Sequence, residues 1–360
     1  MLVRANNWQD RRVLVTGHTG FKGGWLSLWL HQLGARVTGY SLPAPTKPSF
    51  FEQTRLEELV DHHLGDVRDY DAVKAAIEKA QPEVVFHLAA QPLVRYSYNN
   101  PVETFATNVM GTVHVLEACR HVSSVRAVIC ITTDKCYENR EWVWPYREND
   151  PMGGHDPYSS SKGAAELAIA AYRRSYPNGP AIASVRAGNV IGGGDWAADR
   201  LVPDVIRALQ AGDRPLIRNP GSIRPWQHVM EALGGYLLIA QRLLEGRSEL
   251  ATAYNFGPNE DDTRPVGWIV EHMLREWGAE GWDQPDEPQP HEAVLLKLDT
   301  SKARAELDWR PAFALKDALA KVIEWHAEVH RGGDAREISL RQLQEYSDRS
   351  NQQMGRVQWA

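Results

Sequence analysis

Short β-branched and apolar runs alternate with amphipathic stretches along the first two-thirds of the chain, a pattern that predicts a doubly wound parallel sheet of the α/β class. Arg12-Val13-Leu14-Val15-Thr16 reads as a buried strand, followed by a Gly-rich turn and a helix near residues 25–33 that Gly34 ends. Residues 35–40 make the second strand, a third ends at Gly65, and residues 84–88, 125–132 and 182–186 make three more. Helical periodicity fills residues 101–120 and about 159–174. After Asn189 the character changes: Gly192-Gly193-Gly194-Asp195 is a flexible turn and proline becomes frequent. The expected organisation is a parallel-sheet domain over residues 1–188, rejoined by later segments, with a smaller, discontinuous α/β substrate lobe over 189–332. In that lobe Pro285 to Pro290 reads as a loop and residues 315–330 as a late helix. The polar residues 333–360 are expected to form a tail, partly disordered.

Composition narrows the function classes. The 360 residues carry 40 Lys and Arg against 46 Asp and Glu, a formal charge of −6, so bulk charge offers nothing to nucleic acid or an anionic membrane. Any anionic ligand must then be held by a local site. Cys119, Cys130 and Cys136 form no CxxC pair, which suggests neither a disulfide framework nor a zinc site, and no metal is expected. Cys130 sits in an apolar run and reads as a buried thiol. No stretch approaches the roughly 18 apolar residues of a membrane span, and residues 1–12 lack a signal-peptide core; the cytoplasm is the expected location.

Directly after the first strand comes Gly17-His18-Thr19-Gly20-Phe21-Lys22-Gly23. Glycines three apart at a strand-to-helix turn let the backbone approach a pyrophosphate seated on the helix N-terminus, the Rossmann-type arrangement for a dinucleotide. Asp66-Val67 follows the third strand, where a carboxylate can accept from an adenine amino group. Leu88-Ala89-Ala90 ends the fourth strand with residues suited to backbone contact with a ribose or nicotinamide, and Asn108 is placed to hold backbone near them. The second strand ends Tyr40-Ser41-Leu42-Pro43 with no acid for a ribose hydroxyl, and Lys47 is a candidate for a 2′-phosphate, so this end does not separate NAD from NADP.

Tyr158-Ser159-Ser160-Ser161-Lys162 puts a phenol and an ammonium four apart, on one face of a helix. A neighbouring cation favours phenolate, which makes Tyr158 a proton acceptor for a hydroxyl whose carbon loses hydride. At the carboxyl end of the fifth strand stands Thr133-Asp134-Lys135. An oxidation needs one hydroxyl beside the tyrosine. An adjacent acid and base add the means to take a proton from one carbon and protonate a leaving hydroxyl on the next.

Together these residues resemble the nucleotide-sugar 4,6-dehydratases of the extended short-chain dehydrogenase/reductase family, over roughly residues 8–330: Thr16-Gly17-x-x-Gly20-Phe21-x-Gly23, His87-x-Ala89-Ala90, Thr133-Asp134-Lys135 and Tyr158-x-x-x-Lys162. The runs from Arg186 to Trp196, Asp199 to Asp204 and Arg224 to Val229 are similar to its CDP-glucose branch. The dTDP-glucose members carry Asp-Glu where this chain has Asp134-Lys135, so Lys135 is either the C5 base or a stabiliser of the enolate. The resemblance implies an NAD-dependent hydro-lyase in which Tyr158 deprotonates the 4-hydroxyl, Thr133 bonds the same oxygen, and protonated Asp134 assists departure of the 6-hydroxyl. Because the cofactor is regenerated in place, NAD is the expected form. The cofactor set is Gly17, Thr19, Gly20, Phe21, Lys22, Gly23, Tyr40, Ser41, Asp66, Val67, Leu88, Ala89 and Ala90 with Tyr158 and Lys162. Arg200 and Arg224 are the candidates for the diphosphate of the hexose substrate, Asn189 for its sugar or first phosphate, with Gln91, Leu201 and His291 completing the site; Trp226 is expected to pack rather than stack. Helices near 101–120 and 159–174 would pair in a homodimer or homotetramer. Two other readings stay open: a 4-epimerase, which gives Asp134 and Lys135 no task, and a non-catalytic dinucleotide binder.

Overall fold

The computed structural model describes Val3, residues 5–285 and residues 295–357. Seven strands build its main sheet: β1 (Arg12–Thr16), β2 (Arg36–Ser41), β3 (Asp61–Leu64), β4 (Val84–His87), β5 (Ala127–Ile131), β6 (Ala181–Ala187) and β7 (Ala253–Phe256). Their order is β7-β6-β5-β4-β1-β2-β3, and every neighbouring pair is parallel. The central strands β4 and β5 are buried at every position, as helices on both faces require. That is why Val-Val-Phe-His and Ala-Val-Ile-Cys-Ile read as unbroken apolar runs rather than alternating ones. Strand order reverses between β1 and β4, so their carboxyl ends part and leave a crevice for a ligand.

Helix α1 spans Phe21–Gln32 and α2 Tyr70–Ala80. The first begins earlier than expected because Gly23 and Gly24 lie inside it; a side chain at Gly24 would come within 2.7 Å of the Phe50 ring. Residues 101–120, expected as one helix, run on in one direction (α3) with a π-helical turn at Ala106–Met110. That turn carries Asn108, and its extra residue re-aims the side chain inward, a use typical of π-bulges. Helix α4 (Pro157–Ser175) starts on Pro157, with the Asp156 carboxylate accepting from Ser159 N at 2.9 Å.

Beyond residue 188 the chain divides its loyalties. Helices α5 (Leu201–Ala211), α7 (Val266–Trp277) and α8 (Leu315–His330) share a second apolar core around Val205, Ile206, Ile269 and Leu319. Two short ladders join them, Val190–Ile191 with Gln227–His228 and Ile223–Arg224 with Arg264–Pro265. Helix α6 (Val229–Leu244), between α5 and α7 in the chain, is buried on nearly all sides and packs in the main core with β7.

The segment after Gly333 is not a disordered tail: Ala335–Val357 is a helix, α9. Ala335, Ile338, Leu343 and Tyr346 are buried along it, Trp325 Nε1 donates to Ser339 Oγ at 2.9 Å, and Arg336 Nε donates to Thr54 O at 2.6 Å. Among the described residues, three of its seven buried ones are polar (Ser339, Gln342, Ser350), which hid the periodicity in the sequence.

Glu231 of α6 anchors this assembly. Its carboxyl, 1% exposed, meets Phe313 N at 2.7 Å and Tyr346 Oη at 3.2 Å. Burial raises it to about 7 against those hydrogen bonds. A carboxyl whose folded value lies above the unfolded 4.5 gives stability that is full below the unfolded value and lost as pH rises through 7. Folding stability is therefore expected to fall by about 3 kcal/mol between pH 4.5 and 8 from this group. Denaturant melts at the two pH values check it, with Glu231→Gln flattening the difference.

Candidate active site

The turn after β1 is shaped by close backbone approach. Gly17 has φ +76°, and a Cβ there would lie 2.8 Å from Ala89 N at the end of β4. A Cβ at Gly23 would fall 2.1 Å from Gly17 O. Gly20 caps α1 without a side-chain acceptor, and the first bond in the helix is Gly24 N to Gly20 O at 2.7 Å. The amides of residues 21–23 thus have no partner within the helix, a ready seat for pyrophosphate oxygens. These residues fit a dinucleotide. Phe21 packs under Gly192, and the Lys22 ammonium is lowered to about 8 by burial and by Lys162 and Arg200.

The other expected cofactor residues divide. Thr19 Oγ1 donates to Leu42 O at 2.9 Å and meets Ser41 Oγ at 2.8 Å, so this pair locks the turn to the end of β2. Tyr40 Oη donates to Asp66 O at 3.3 Å, and the Asp66 carboxylate is bound by Arg68 Nη2 at 2.5 Å, which holds it below its usual range. The Val67 side chain is in the core, against Gly111. Lys47 is exposed.

At the ends of β1 and β4 a chain of hydroxyls and imidazole fixes the crevice. Thr112 Oγ1 donates to Asn108 O at 2.7 Å, so its oxygen accepts from His87 Nε2 at 3.1 Å. His87 Nδ1 then accepts from Thr16 Oγ1 at 2.8 Å, and Thr16 Oγ1 accepts from Ala89 N at 3.2 Å. Burial lowers His87 to about 3, so the imidazole is neutral near pH 7, as this arrangement requires. Asn108 does hold backbone together, as expected: it accepts from Gln91 N at 2.9 Å and donates to Gln91 O at 3.1 Å and Ser161 Oγ at 2.9 Å. Gln91, expected at the substrate, has both ends of its amide bonded internally, to Thr104 Oγ1 at 2.9 Å and from Leu93 N at 2.5 Å.

The catalytic candidates meet where β5 ends. Thr133 Oγ1 donates to Asp134 Oδ1 at 2.9 Å. Asp134 is 2% exposed and its Oδ2 has no hydrogen-bond partner among the described residues. Burial raises its carboxyl above the usual range despite Lys135, Thr133 and Arg224. That unpartnered oxygen is left for a ligand group to bond. Tyr158 and Lys162 are both buried on α4. Burial pushes the phenol to about 12, against the pull of the Thr133 hydroxyl and Arg200, and lowers Lys162 to about 8. Lys162 Nζ reaches Ile131 O at 3.5 Å, next to the same strand end.

A cleft opens from Lys135 into the second lobe, and Asn189, Arg200, Leu201 and Arg224 all line it. Arg200 Nη1 pairs with Asp195 Oδ2 at 3.0 Å, which raises its guanidinium further, while Arg224 is 8% exposed with Nη1 donating to Ile223 O at 3.0 Å. Trp226 packs in the lobe core as expected. His291 lies outside the described residues. Asp195, Glu166 and Arg186 were not foreseen. Glu166 had a readable signal, a carboxylate one helical turn past Lys162.

A parallel β7-β6-β5-β4-β1-β2-β3 sheet, a glycine turn after β1, and a buried Tyr–Lys pair beside the β5 end define a Rossmann-type protein of the short-chain dehydrogenase/reductase class. The family model described as GDP-mannose 4,6 dehydratase matches residues 14–322. The chain is 52% identical over 353 residues to the CDP-glucose 4,6-dehydratase of Salmonella typhimurium, covering 96% of this chain and 98% of that protein. It belongs to the nucleotide-sugar 4,6-dehydratase family. Among solved structures, a UDP-glucose 4-epimerase of Thermus thermophilus in complex with NAD superimposes with TM-score 0.75 at 25% identity, over 88% of this chain and 99% of that one. A dTDP-glucose 4,6-dehydratase from Streptomyces venezuelae with NAD and TYD bound shares the fold, with TM-score 0.76 at 23% identity over 90% and 99%. Among the described residues no helix is long and apolar enough to cross a membrane.

Proposed function

We propose that the protein converts CDP-D-glucose to CDP-4-keto-6-deoxy-D-glucose and water, using NAD held by the glycine turn, Lys22, Leu88, Ala89 and Ala90 together with Tyr158 and Lys162. The observation that carries this reading is Asp134, buried, raised, and with an unpartnered Oδ2, beside Lys135 at the end of the cleft. The sugar nucleotide follows from the 52% identity to a CDP-glucose 4,6-dehydratase. Bound NAD supplies the acceptor for the C4 hydride and its return to C6. Tyr158 takes the proton of the 4-hydroxyl while Thr133 bonds that oxygen, and Lys162 steadies the phenolate by its charge. The C4 ketone acidifies C5–H, and Lys135 takes that proton and returns one to C5 as hydride reaches C6. Asp134 gives its proton to the departing 6-hydroxyl. Arg200, Arg224 and Asn189 hold the diphosphate end, so residues 1–188 with α6 and β7 act as the cofactor domain and the cleft wall as the substrate lobe.

Purified protein with NAD and, separately, CDP-, dTDP-, UDP- and GDP-linked hexoses tests this by mass. Loss of one water from CDP-glucose alone is expected. Water loss from another nucleotide overturns the substrate; an unchanged mass favours epimerisation, and no reaction with any favours a binder.

The protein works in the cytoplasm, as a homodimer or homotetramer. Val102, Phe105 and Met110 on α3 and Leu167 on α4 are exposed apolar residues on two helices that pack together, 82% exposed in the case of Val102. Burying them against a second copy removes a patch that water disfavours. Val102→Glu with Leu167→Glu is expected to shift the mass measured by light scattering from two or more chains to one.

A further inference from the structure

Glu166 takes no part in the chemistry above, yet it is among the most tightly held carboxylates in the molecule. It lies on α4, 4% exposed, one helical turn past Lys162. Three donors from two other elements converge on it: Thr132 Oγ1 at 2.5 Å, Ser184 Oγ at 2.8 Å and Arg186 Nη2 at 2.8 Å. Thr132 is the residue before Thr133-Asp134-Lys135, and Ser184 and Arg186 belong to β6, three residues upstream of Asn189 at Arg186. Arg186 is fixed in its turn. Its Nη1 donates to Tyr137 Oη at 2.7 Å and Glu148 O at 3.0 Å, and Tyr137 Oη donates to Asn255 Oδ1 of β7 at 2.7 Å.

Stability alone is a weak reason for such a group, because buried ion pairs are often replaced by apolar residues at no loss. Its placement has a better one. A single carboxylate registers α4, the β5 end and β6 against each other; the first two carry Tyr158 and Lys162 and Thr133 to Lys135, and Asn189 lies two residues past the end of the third. We propose that Glu166 is a positioning residue for the Tyr158–Lys162 pair, setting its placement against the β5 end and supplying a negative charge one helical turn from Lys162.

The charged and titratable groups around Lys162 support this assignment. Burial lowers the ammonium; Glu166 is the largest influence opposing that, followed by Cys136 beyond β5 and Cys130 on β5. Lys162 in turn lowers Lys22 of α1 and His87 of β4. Both thiols are themselves raised by burial and so neutral near pH 7, which leaves Glu166 as the standing negative charge. Without it, Lys162 surrenders its proton at lower pH, and Tyr158 loses its cation in the range where it works.

The role in turnover rests on the dehydratase reading, so the test uses a second readout that needs no substrate. The titration of Lys162 is followed in protein labelled with carbon-13 at lysine Cε, its resonance assigned with Lys162→Met. In Glu166→Gln the midpoint is expected to drop by about one pH unit or more, a tenfold change in proton affinity. With substrate, the rising limb of kcat/KM levels off at a pH lower by the same amount, kcat falls by about tenfold or more, and KM changes little. Glu166→Asp keeps the charge but draws it away from Thr132 and Ser184; the midpoint and limb stay near those of the unmodified protein while kcat falls severalfold. An unmoved Lys162 midpoint in Glu166→Gln overturns the assignment, as does unaltered kcat in Glu166→Asp. If Glu166→Gln leaves Arg186 too poorly paired to fold, Glu166→Asp decides alone on kcat and on its retained midpoint. A protein that turns over no nucleotide sugar sinks the dehydratase reading and leaves the titration to judge Glu166.

Discussion

Tyr158→Phe is expected to lower turnover about a thousandfold while NAD affinity and folding change little. Removing a positioned proton acceptor costs on the order of 10²–10⁴ in rate, and a thousandfold is about 4 kcal/mol of barrier. The same change removes a single hydroxyl from the fold, worth about 1 kcal/mol of stability. The two effects therefore separate cleanly: single-turnover appearance of reduced cofactor should collapse while the thermal melt moves by a few degrees. Retained turnover would remove Tyr158 from its role. The direction of the pH dependence follows from the same site. With the phenol pushed to about 12 and Lys162 lowered to about 8, the reactive pair is phenolate beside ammonium, a minor population near neutrality. Turnover should climb through neutral pH as Tyr158 gives up its proton and level off above about 8, where loss of the Lys162 proton offsets further ionisation of the phenol. In Tyr158→Phe the rising limb should vanish.

The sequence displayed the sheet well because its central strands are buried on both faces, and nothing but an apolar run can occupy Val84–His87 or Ala127–Ile131. The glycine turn was legible for a related reason: only glycine fits where Gly17 and Gly23 meet backbone. What escaped was chemistry that depends on a partner far along the chain. The backbone of Gln91 is bonded by Asn108 and its amide by Thr104, both more than ten residues on, and no local pattern announces either contact. The bond between Thr19 and Ser41, at the end of β2, is of the same kind. The α9 helix escaped because its inward face mixes Ser339, Gln342 and Ser350 with its apolar residues, and a polar residue buried against a partner leaves no hydropathy signal. Tyr158 and Lys162 are local neighbours and could be paired from spacing. Glu166 and Arg186 could not, because they meet across α4 and β6.

Asp134 and Lys135 separate elimination from simple oxidation, and replacing them should split the reaction rather than stop it. Asp134→Asn preserves the shape but leaves no proton for the departing hydroxyl. Its buried setting makes the loss specific, since no other described side chain bonds the open oxygen. Water loss should fall by about 10²–10³-fold, while hydride leaves C4 at a rate within tenfold of the unmodified protein. The reduced cofactor and a 4-keto sugar of undiminished oxygen count would then accumulate on the enzyme, visible together by absorbance and mass. Lys135→Met should give the same split with a second signature. In heavy water the unmodified protein places solvent deuterium at C5; with Lys135 as the base, that exchange slows in step with water loss. Exchange that persists at full rate in Lys135→Met would assign the C5 proton to another group and leave the ammonium to stabilise the enolate. Oxidation slowed as much as water loss in both variants would mean that the pair acts before elimination, on the hydroxyl that Tyr158 and Thr133 already serve.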